Sequence, residues 1–395
     1  MPDPIALIAA WARSAVAPHG GAFRSLQPFE IAAPVVRALL ARAGVSAQAV
    51  DAVVLGNALG AGGNPARMVA LASGLPERCA AFSIDTQCCS GIDAVSMAVG
   101  LLASGQASVV IAGGVEAWSR SPIRQVRPMR EGELAIAYER PAFSPDPSRD
   151  PDLLVSAAHY AQQHGFSRAQ QDAYAVLSHQ RAIAHAATLA AEIVQVSGLQ
   201  QDAYPRDISL VRAARMPQVA KWDALQDNAR PLSNEHADCS LSALTISAKA
   251  DGVALVLLAT SQACRNLGLT PGAVWVASTS VGCDSSTPLI AAEKAAAAAL
   301  SRVGFPSVES MRVIELHDAF AVQGLSFCKA LGIDPTRINR RGGGLARGHP
   351  IGASGAISII RLLSDLQRDE QPGARGLVAA AGAGGIGAAA IFERL

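Results

Sequence analysis

A cysteine pair, Cys88-Cys89-Ser90-Gly91, stands between a short apolar run and the start of a helical pattern. A thiol at a helix N-terminus meets the positive end of the helix dipole and unpaired backbone N–H groups, which favour the thiolate and can hold a developing oxyanion. The same residues also read as small buried apolar side chains, the common state of a free cysteine. Two of the eight histidines keep unusual company. His349 lies in Gly348-His349-Pro350-Ile351-Gly352, just ahead of a helical stretch, and His317 follows an apolar run in Glu315-Leu316-His317-Asp318. Loop tips at strand ends are where α/β proteins place their chemistry. Either histidine also reads as a core or solvent-facing residue. A thiol with an imidazole in reach is the minimum set for covalent catalysis. The ligand spacing of a metal site, such as H-x-x-x-H, is absent from the sequence.

These residues need elements to hold them. Short apolar runs bounded by glycine predict strands at Val53–Leu55, Phe82–Ile84, Val109–Ala112, Val313–Leu316 and Leu377–Ala381. Asn64-Pro65 reads as a cap and first-turn proline for a helix through Leu71. Ile92, Val95, Val99 and Leu102 share one face of a second helix. Strands alternating with helices predict an α/β fold around parallel sheet. Cys88–Gly114 and Gly352–Gly385 both read Ser-Gly, amphipathic helix, apolar strand, Gly-Gly, a weak internal repeat that suggests two related halves. The more polar middle contains a capping-box spacing, Ser167-x-x-Gln170, ahead of Tyr174, Leu177 and Ile183. The expected division is 1–118 for the first half, 119–248 for an inserted loop domain and 249–395 for the second half.

Gly382–Gly387 matches G-x-G-x-x-G, but only Ala388–Leu395 follow, too few for the helix and strand of a dinucleotide site. A glycine turn between two closing strands is the better reading. The 395 residues exceed one ordinary core, and half of them are hydrophobic, which excludes disorder. Lys+Arg 33 against Asp+Glu 32 gives no general basic surface for nucleic acid. The segment MPDPIALIAAWAR lacks the basic flank of a signal peptide, and no apolar run reaches membrane-spanning length. Seven irregularly spaced cysteines form no disulfide framework. A soluble cytoplasmic protein with reduced thiols is expected.

Taken together the motifs resemble the thiolase superfamily over most of the chain. Gly56-Asn57, Gly63-Asn64-Pro65-Ala66-Arg67 and Gly74-Leu75-Pro76 are similar to its early signature. Asp85-Thr86-Gln87-Cys88 resembles its nucleophile segment and Ala112-Gly-Gly-Val-Glu116-Ala-Trp-Ser119 the segment after it. Gly165–Gln180 looks like its loop-domain helix and Asp251-Gly252 its return to the second half, while Gly348–Gly352 is the most specific match.

The resemblance implies a five-layered α-β-α-β-α sandwich of two similar halves with an inserted loop domain. It implies an acyl-CoA C-acyltransferase with Cys88 as acyl-accepting nucleophile, His349 as its base and His317, where a sterol-carrier-type subgroup carries His, polarising the second thioester. Backbone N–H groups of Cys88 and Ala383 would form the oxyanion hole, and Ser247 and Ala243 would touch the pantetheine arm. Coenzyme A or carrier-protein thioesters would be substrates, with no cofactor or metal. A homodimer is expected, because the polar stretch between Arg120 and Pro151 bears little likeness to the family's tetramer-forming loop. Both places where relatives keep a second catalytic cysteine read Ala319 and Ala381, and Asp152-Leu153-Leu154 replaces the usual acyl-pocket residues. Two readings follow: a condensing enzyme using decarboxylative donors, with His317 or Cys89 as base in the rival version, or a catalytically degenerate subunit of a condensing complex.

Overall fold

The computed structural model describes residues 4–60, 62–222, 238–304 and 307–395. The first half runs β1 (Leu7–Ser14), α1 (Pro28–Ala43), β2 (Ala52–Gly56), α2 (Pro65–Ala72), β3 (Ala80–Ile84), α3 (Ser90–Ala103) and β4 (Val109–Ala117). A long excursion follows. It carries a hairpin, β5 (Arg124–Val126) and β6 (Ile136–Tyr138), then helices α4 (Leu153–His164) and α5 (Arg168–Ala184). Residues 223–237 of the expected loop domain lie outside the described residues. The chain returns through β7 (Ala250–Ala259), β8 (Ala273–Gly282), α6 (Ala291–Arg302), β9 (Val313–His317), α7 (Ala321–Leu331), α8 (Ile351–Asp369), β10 (Arg375–Gly382) and β11 (Ile386–Arg394). Asp251 closes the excursion at its neck by accepting the Ser119 backbone N–H at 2.8 Å.

The strands follow the order β9-β10-β11-β8-β1-β7-β4-β2-β3. The expected parallel sheet is mixed instead: β2 pairs in parallel with β3 and β4, and β9 with β10, while the strands between them are antiparallel. The reason is local in the second half, where the Ala383-Gly384-Gly385 turn, with φ of 80° and 78° at its glycines, folds β10 straight back into β11. The two halves of the sheet join at a short pairing where Leu7 and Ile8 meet Val274 and Ala273.

Side-chain alternation along the strands shows the layers. Val253, Leu255 and Leu257 of β7 face α1 and α2, whereas Ala254, Val256 and Leu258 face α3 and α8. In the second half, Val378 and Ala380 of β10 face the same two helices, and Leu377 and Ala379 face α6 and α7. Helices α3 and α8 are therefore the filling between two sheets, and the molecule is a five-layered α-β-α-β-α sandwich. They are also the helices of the internal repeat. Tyr174, Ala175 and Val176 of α5 pack into the core of the second half, so the excursion leans on that half. The Ser167–Gln170 capping box is present; of the apolar residues after it, Tyr174 is buried and Ile183 is exposed. The stretch 120–151, polar by composition, presents Ile123, Met129, Leu134 and Ile136 to solvent from its hairpin. Among the described residues no helix is long and apolar enough to cross a membrane.

Candidate active site

Between β3 and α3 the chain makes a sharp corner. Gln87 adopts φ 54°, a left-handed conformation that costs a residue with a Cβ about 1–3 kcal/mol. The corner is tied down: Asp85 Oδ1 accepts the Gln87 backbone and side-chain N–H groups at 2.9 and 3.0 Å, and Ser90 Oγ donates to the Gln87 carbonyl at 2.6 Å. The strain presents the next residue, Cys88, to an internal cavity.

His349 arrives from the other half. Its backbone N–H donates to the Ala248 carbonyl at 2.7 Å, and the preceding Gly348 holds φ 106°. Helix α8 then passes so close to the first half that only glycines fit. A Cβ on Gly114 would stand 1.9 Å from the Gly352 carbonyl oxygen, and one on Gly56 2.5 Å from the same atom. Glu116 Oε2 accepts the backbone N–H groups of both Ala58 and Gly352, at 2.9 and 3.0 Å, clamping the two halves at this level. Burial holds its carboxyl up at about 7.

This approach sets Cys88 Sγ 3.0 Å from His349 Nε2. His349 Nδ1 lies 2.7 Å from Ser354 Oγ, whose own proton goes to the Pro350 carbonyl at 2.9 Å. A carbonyl can only accept, so Ser354 must receive its other bond from the imidazole, and the ring proton sits on Nδ1. His349 consequently turns a lone pair toward the thiol.

The pair is neutral. Burial pushes the Cys88 thiol up to about 12, against the backbone N–H groups of Ala383 and Cys88 that pull it down, and burial lowers His349 to about 4. The thiolate expected from the helix N-terminus is thus not the resting form, because loss of solvent outweighs the helix dipole and the two amides. Cys88 rests as a thiol with a neutral imidazole beside it.

His317 ends β9 and is 1% exposed, its ring tilted against that of His349 with centroids 4.3 Å apart. Burial, then His349 and Arg347, keep it well below the usual histidine range, so it too is neutral, and its Nε2 has no partner. The neighbouring Asp318 is held by the Tyr174 hydroxyl of α5 at 2.9 Å and by the Gly344 backbone N–H.

The cavity encloses about 100 Å³. Its wall contains Cys88, His349, Ser247, Ala319, Ala381 and Ala383, so both alanines that replace a possible second thiol face it. His317 lies behind His349 and off this wall. Ala243 is exposed and also off it. Cys89 points elsewhere, with its sulfur 3.4 Å from the Ala380 carbonyl oxygen and 3.6 Å from that of Ile386, and cannot reach the cavity as a base.

Residues 6–262 match the thiolase N-terminal domain and residues 269–394 the thiolase C-terminal domain. The chain belongs to the thiolase family. This thiolase is similar to VraB of Staphylococcus aureus strain MRSA252, 33% identical over 391 residues that cover 98% of this chain and 99% of the relative. It is similar also to YhfS of Bacillus subtilis strain 168, 35% identical over 380 residues that cover 95% and 96%. Both relatives are provisionally named acetyl-CoA C-acetyltransferases. Among solved structures, the Bacillus anthracis acetyl-CoA acetyltransferase superposes with a TM-score of 0.88 at 29% identity, covering 100% of this chain and 99% of that one. Human mitochondrial 3-ketoacyl-CoA thiolase, solved in complex with CoA, gives 0.86 at 25% identity over 99% and 98%. The protein is an acyltransferase enzyme.

Several residues of this thiolase's site escaped the sequence reading. Ser354, which orients His349, is visible only as the serine of a Ser-Gly repeat. Gln323, Leu289 and Phe320 line the cavity without any signal in local spacing. Leu153, noted only as a departure, also forms part of the wall, while Asp152 beside it caps α4 through the Leu154 N–H at 2.8 Å.

Proposed function

We propose that this thiolase loads an acyl group from a coenzyme A thioester onto Cys88 and joins it to the carbanion of a second thioester, making a carbon–carbon bond. As sulfur attacks the thioester carbonyl, His349 Nε2 takes its proton. The N–H groups of Cys88 and Ala383, both already acting on the sulfur, hold the oxyanion. The carbon–sulfur bond to coenzyme A breaks, and the leaving thiolate takes the proton back from His349. Ser247 on the wall and Ala243 at the surface are assigned the flanks of the pantetheine arm. The chemistry uses no cofactor.

The observation that carries the choice of donor is the composition of the wall. Among the described residues its only titratable side chains are Cys88 and His349. Removing an α-proton from a simple acyl thioester needs a third group, which neither Ala319 nor Ala381 supplies. A malonyl-type thioester avoids the need: its carbon–carbon bond to the carboxylate breaks, carbon dioxide leaves, and the electron pair enters the thioester enolate. His317, assigned to the enolate oxygen, stands behind His349 and off the wall, so its ring must turn toward the cavity to serve there. The enolate attacks the acyl carbonyl, the bond to Cys88 breaks, and the thiolate regains a proton from water.

The test compares malonyl- and acetyl-CoA as second substrate and measures thiolysis of acetoacetyl-CoA. Preference for malonyl-CoA with weak thiolysis supports the reading, and brisk thiolysis without that preference overturns it. Introducing a thiol by Ala381→Cys is expected to raise thiolysis more than tenfold.

We further propose a homodimer formed through β3. This strand ends the sheet with one edge unpaired, and Phe82 on it lies exposed with Met68, Leu71 and Met97 of the flanking helices.

A further inference from the structure

The polar groups on the cavity wall can be followed one by one. The Cys88 proton faces His349 Nε2, and the His349 proton faces Ser354. Ser156 Oγ donates to the Ser286 carbonyl at 2.8 Å and Ser247 Oγ to the Gly344 carbonyl at 2.6 Å. Gln323 is different. Its Oε1 accepts the Ala319 backbone N–H at 2.9 Å, which fixes the orientation of the amide, and its Nε2 has no partner although the residue is only 2% exposed. Among the described residues that line this cavity, Gln323 is therefore the one whose side-chain donor is uncommitted, with Nε2 itself buried at the edge of the lining. A buried amide donor left without an acceptor costs about 1–3 kcal/mol, so a site that keeps one discriminates strongly for a ligand that supplies the acceptor.

The carbonyl oxygens of the reaction are already matched. The acyl oxygen is assigned the amides of Cys88 and Ala383, and the oxygen of the second thioester is assigned His317. Joining two acetyl units, or cleaving a 3-oxoacyl thioester, presents no further oxygen at the reacting carbons. A malonyl-type donor does, in its carboxylate.

We propose that Gln323 Nε2 is the anchor for the carboxylate of a malonyl-type thioester, a specificity-determining contact that rests on the decarboxylative reading above. The rest of the surroundings suit a carboxylate that must leave. Leu153, Ile246, Leu289 and Phe320 strip it of water, and no lysine or arginine lines the wall to stabilise it as an ion pair. A neutral donor holds the carboxylate without neutralising it. The charge is then free to pass into the enolate as carbon dioxide departs.

The experiment uses the full chain with acetyl-CoA as acyl donor and either malonyl-CoA or acetyl-CoA as second substrate. Gln323→Glu keeps an acceptor for the Ala319 N–H and replaces only the donor, and Gln323→Met removes both at similar volume. Intact mass of the Cys88 acyl adduct reports that each variant has assembled its site. The expected result is a fall in kcat/KM for malonyl-CoA at least tenfold greater than for acetyl-CoA in both variants, carried mainly by KM and larger in Gln323→Glu. If the wild-type protein uses malonyl-CoA and either acylating variant keeps the wild-type ratio of the two donors, the Gln323 assignment alone is overturned. If the wild-type protein does not use malonyl-CoA, the decarboxylative reading and the assignment fall together.

Discussion

An added Cβ on Gly91 would stand 2.5 Å from the backbone nitrogen of Ala356. This is the crossing point of α3 and α8, the helices that begin beside Cys88 and beside His349. Gly355 makes the reciprocal approach, where a Cβ would come within 2.8 Å of the Ile92 side chain. Backbone cannot yield as a side chain can. Gly91→Ala is expected to destabilise the protein by about 1–3 kcal/mol and to slow Cys88 acylation more than tenfold. Gly355→Ala should be milder in both. Thermal melts and acyl-adduct kinetics by intact mass make the comparison, and equal effects of the two substitutions would contradict the backbone argument.

Ser354→Ala removes the acceptor that keeps the His349 proton on Nδ1. The ring is then free to present a proton to Cys88 instead of a lone pair. Acylation by acetyl-CoA should fall by about ten- to a hundredfold with little change in melting temperature, since a misdirected tautomer impairs the base without disturbing the fold. Unchanged acylation kinetics would remove Ser354 from the proton path.

Because burial lifts the Cys88 thiol from 9.0 to about 12, iodoacetamide should modify it slowly at neutral pH. Its rate should climb by about tenfold per pH unit between pH 7 and 9. Peptide mapping of the alkylated residue follows this. A fast rate that is flat above pH 6 would instead reveal a thiolate–imidazolium pair. The linkage has a definite sign: the folded protein prefers the protonated thiol. Its contribution to stability is intact below pH 9.0 and is lost as pH rises toward 12.

Phe82→Asp places a charge on the exposed face of the unpaired β3 edge. The wild-type protein is expected to scatter light as a dimer at micromolar concentration and the variant as a monomer. A wild-type monomer would dismiss the edge-strand interface.

The sequence made the strands legible because buried strands are short apolar runs between glycines, as at Val313–Leu316. It brought Cys88, His317 and His349 forward as candidates through their odd local company, glycine and proline around His349 above all, and the structure places the three side by side. The Ser-Gly repeat also held. What stayed hidden depends on contacts between distant segments. The thiol's protonation state follows from how much solvent the second half removes, which no local window around Cys88 reports. The His349 tautomer needs Ser354 held by the Pro350 carbonyl, and the free Nε2 of Gln323 needs Ala319 placed beside it.

The bond between Cys88 and His349 spans 261 positions of the chain. Closing so long a loop is among the last events open to a folding polypeptide, because its entropy must be met before any contact rewards it. A first half that folded by itself would carry a thiol without a base, and a second half a base without a thiol. On the mechanism proposed above, partly folded species would be chemically silent toward thioesters, and catalytic turnover would serve as a census of molecules whose two halves have docked.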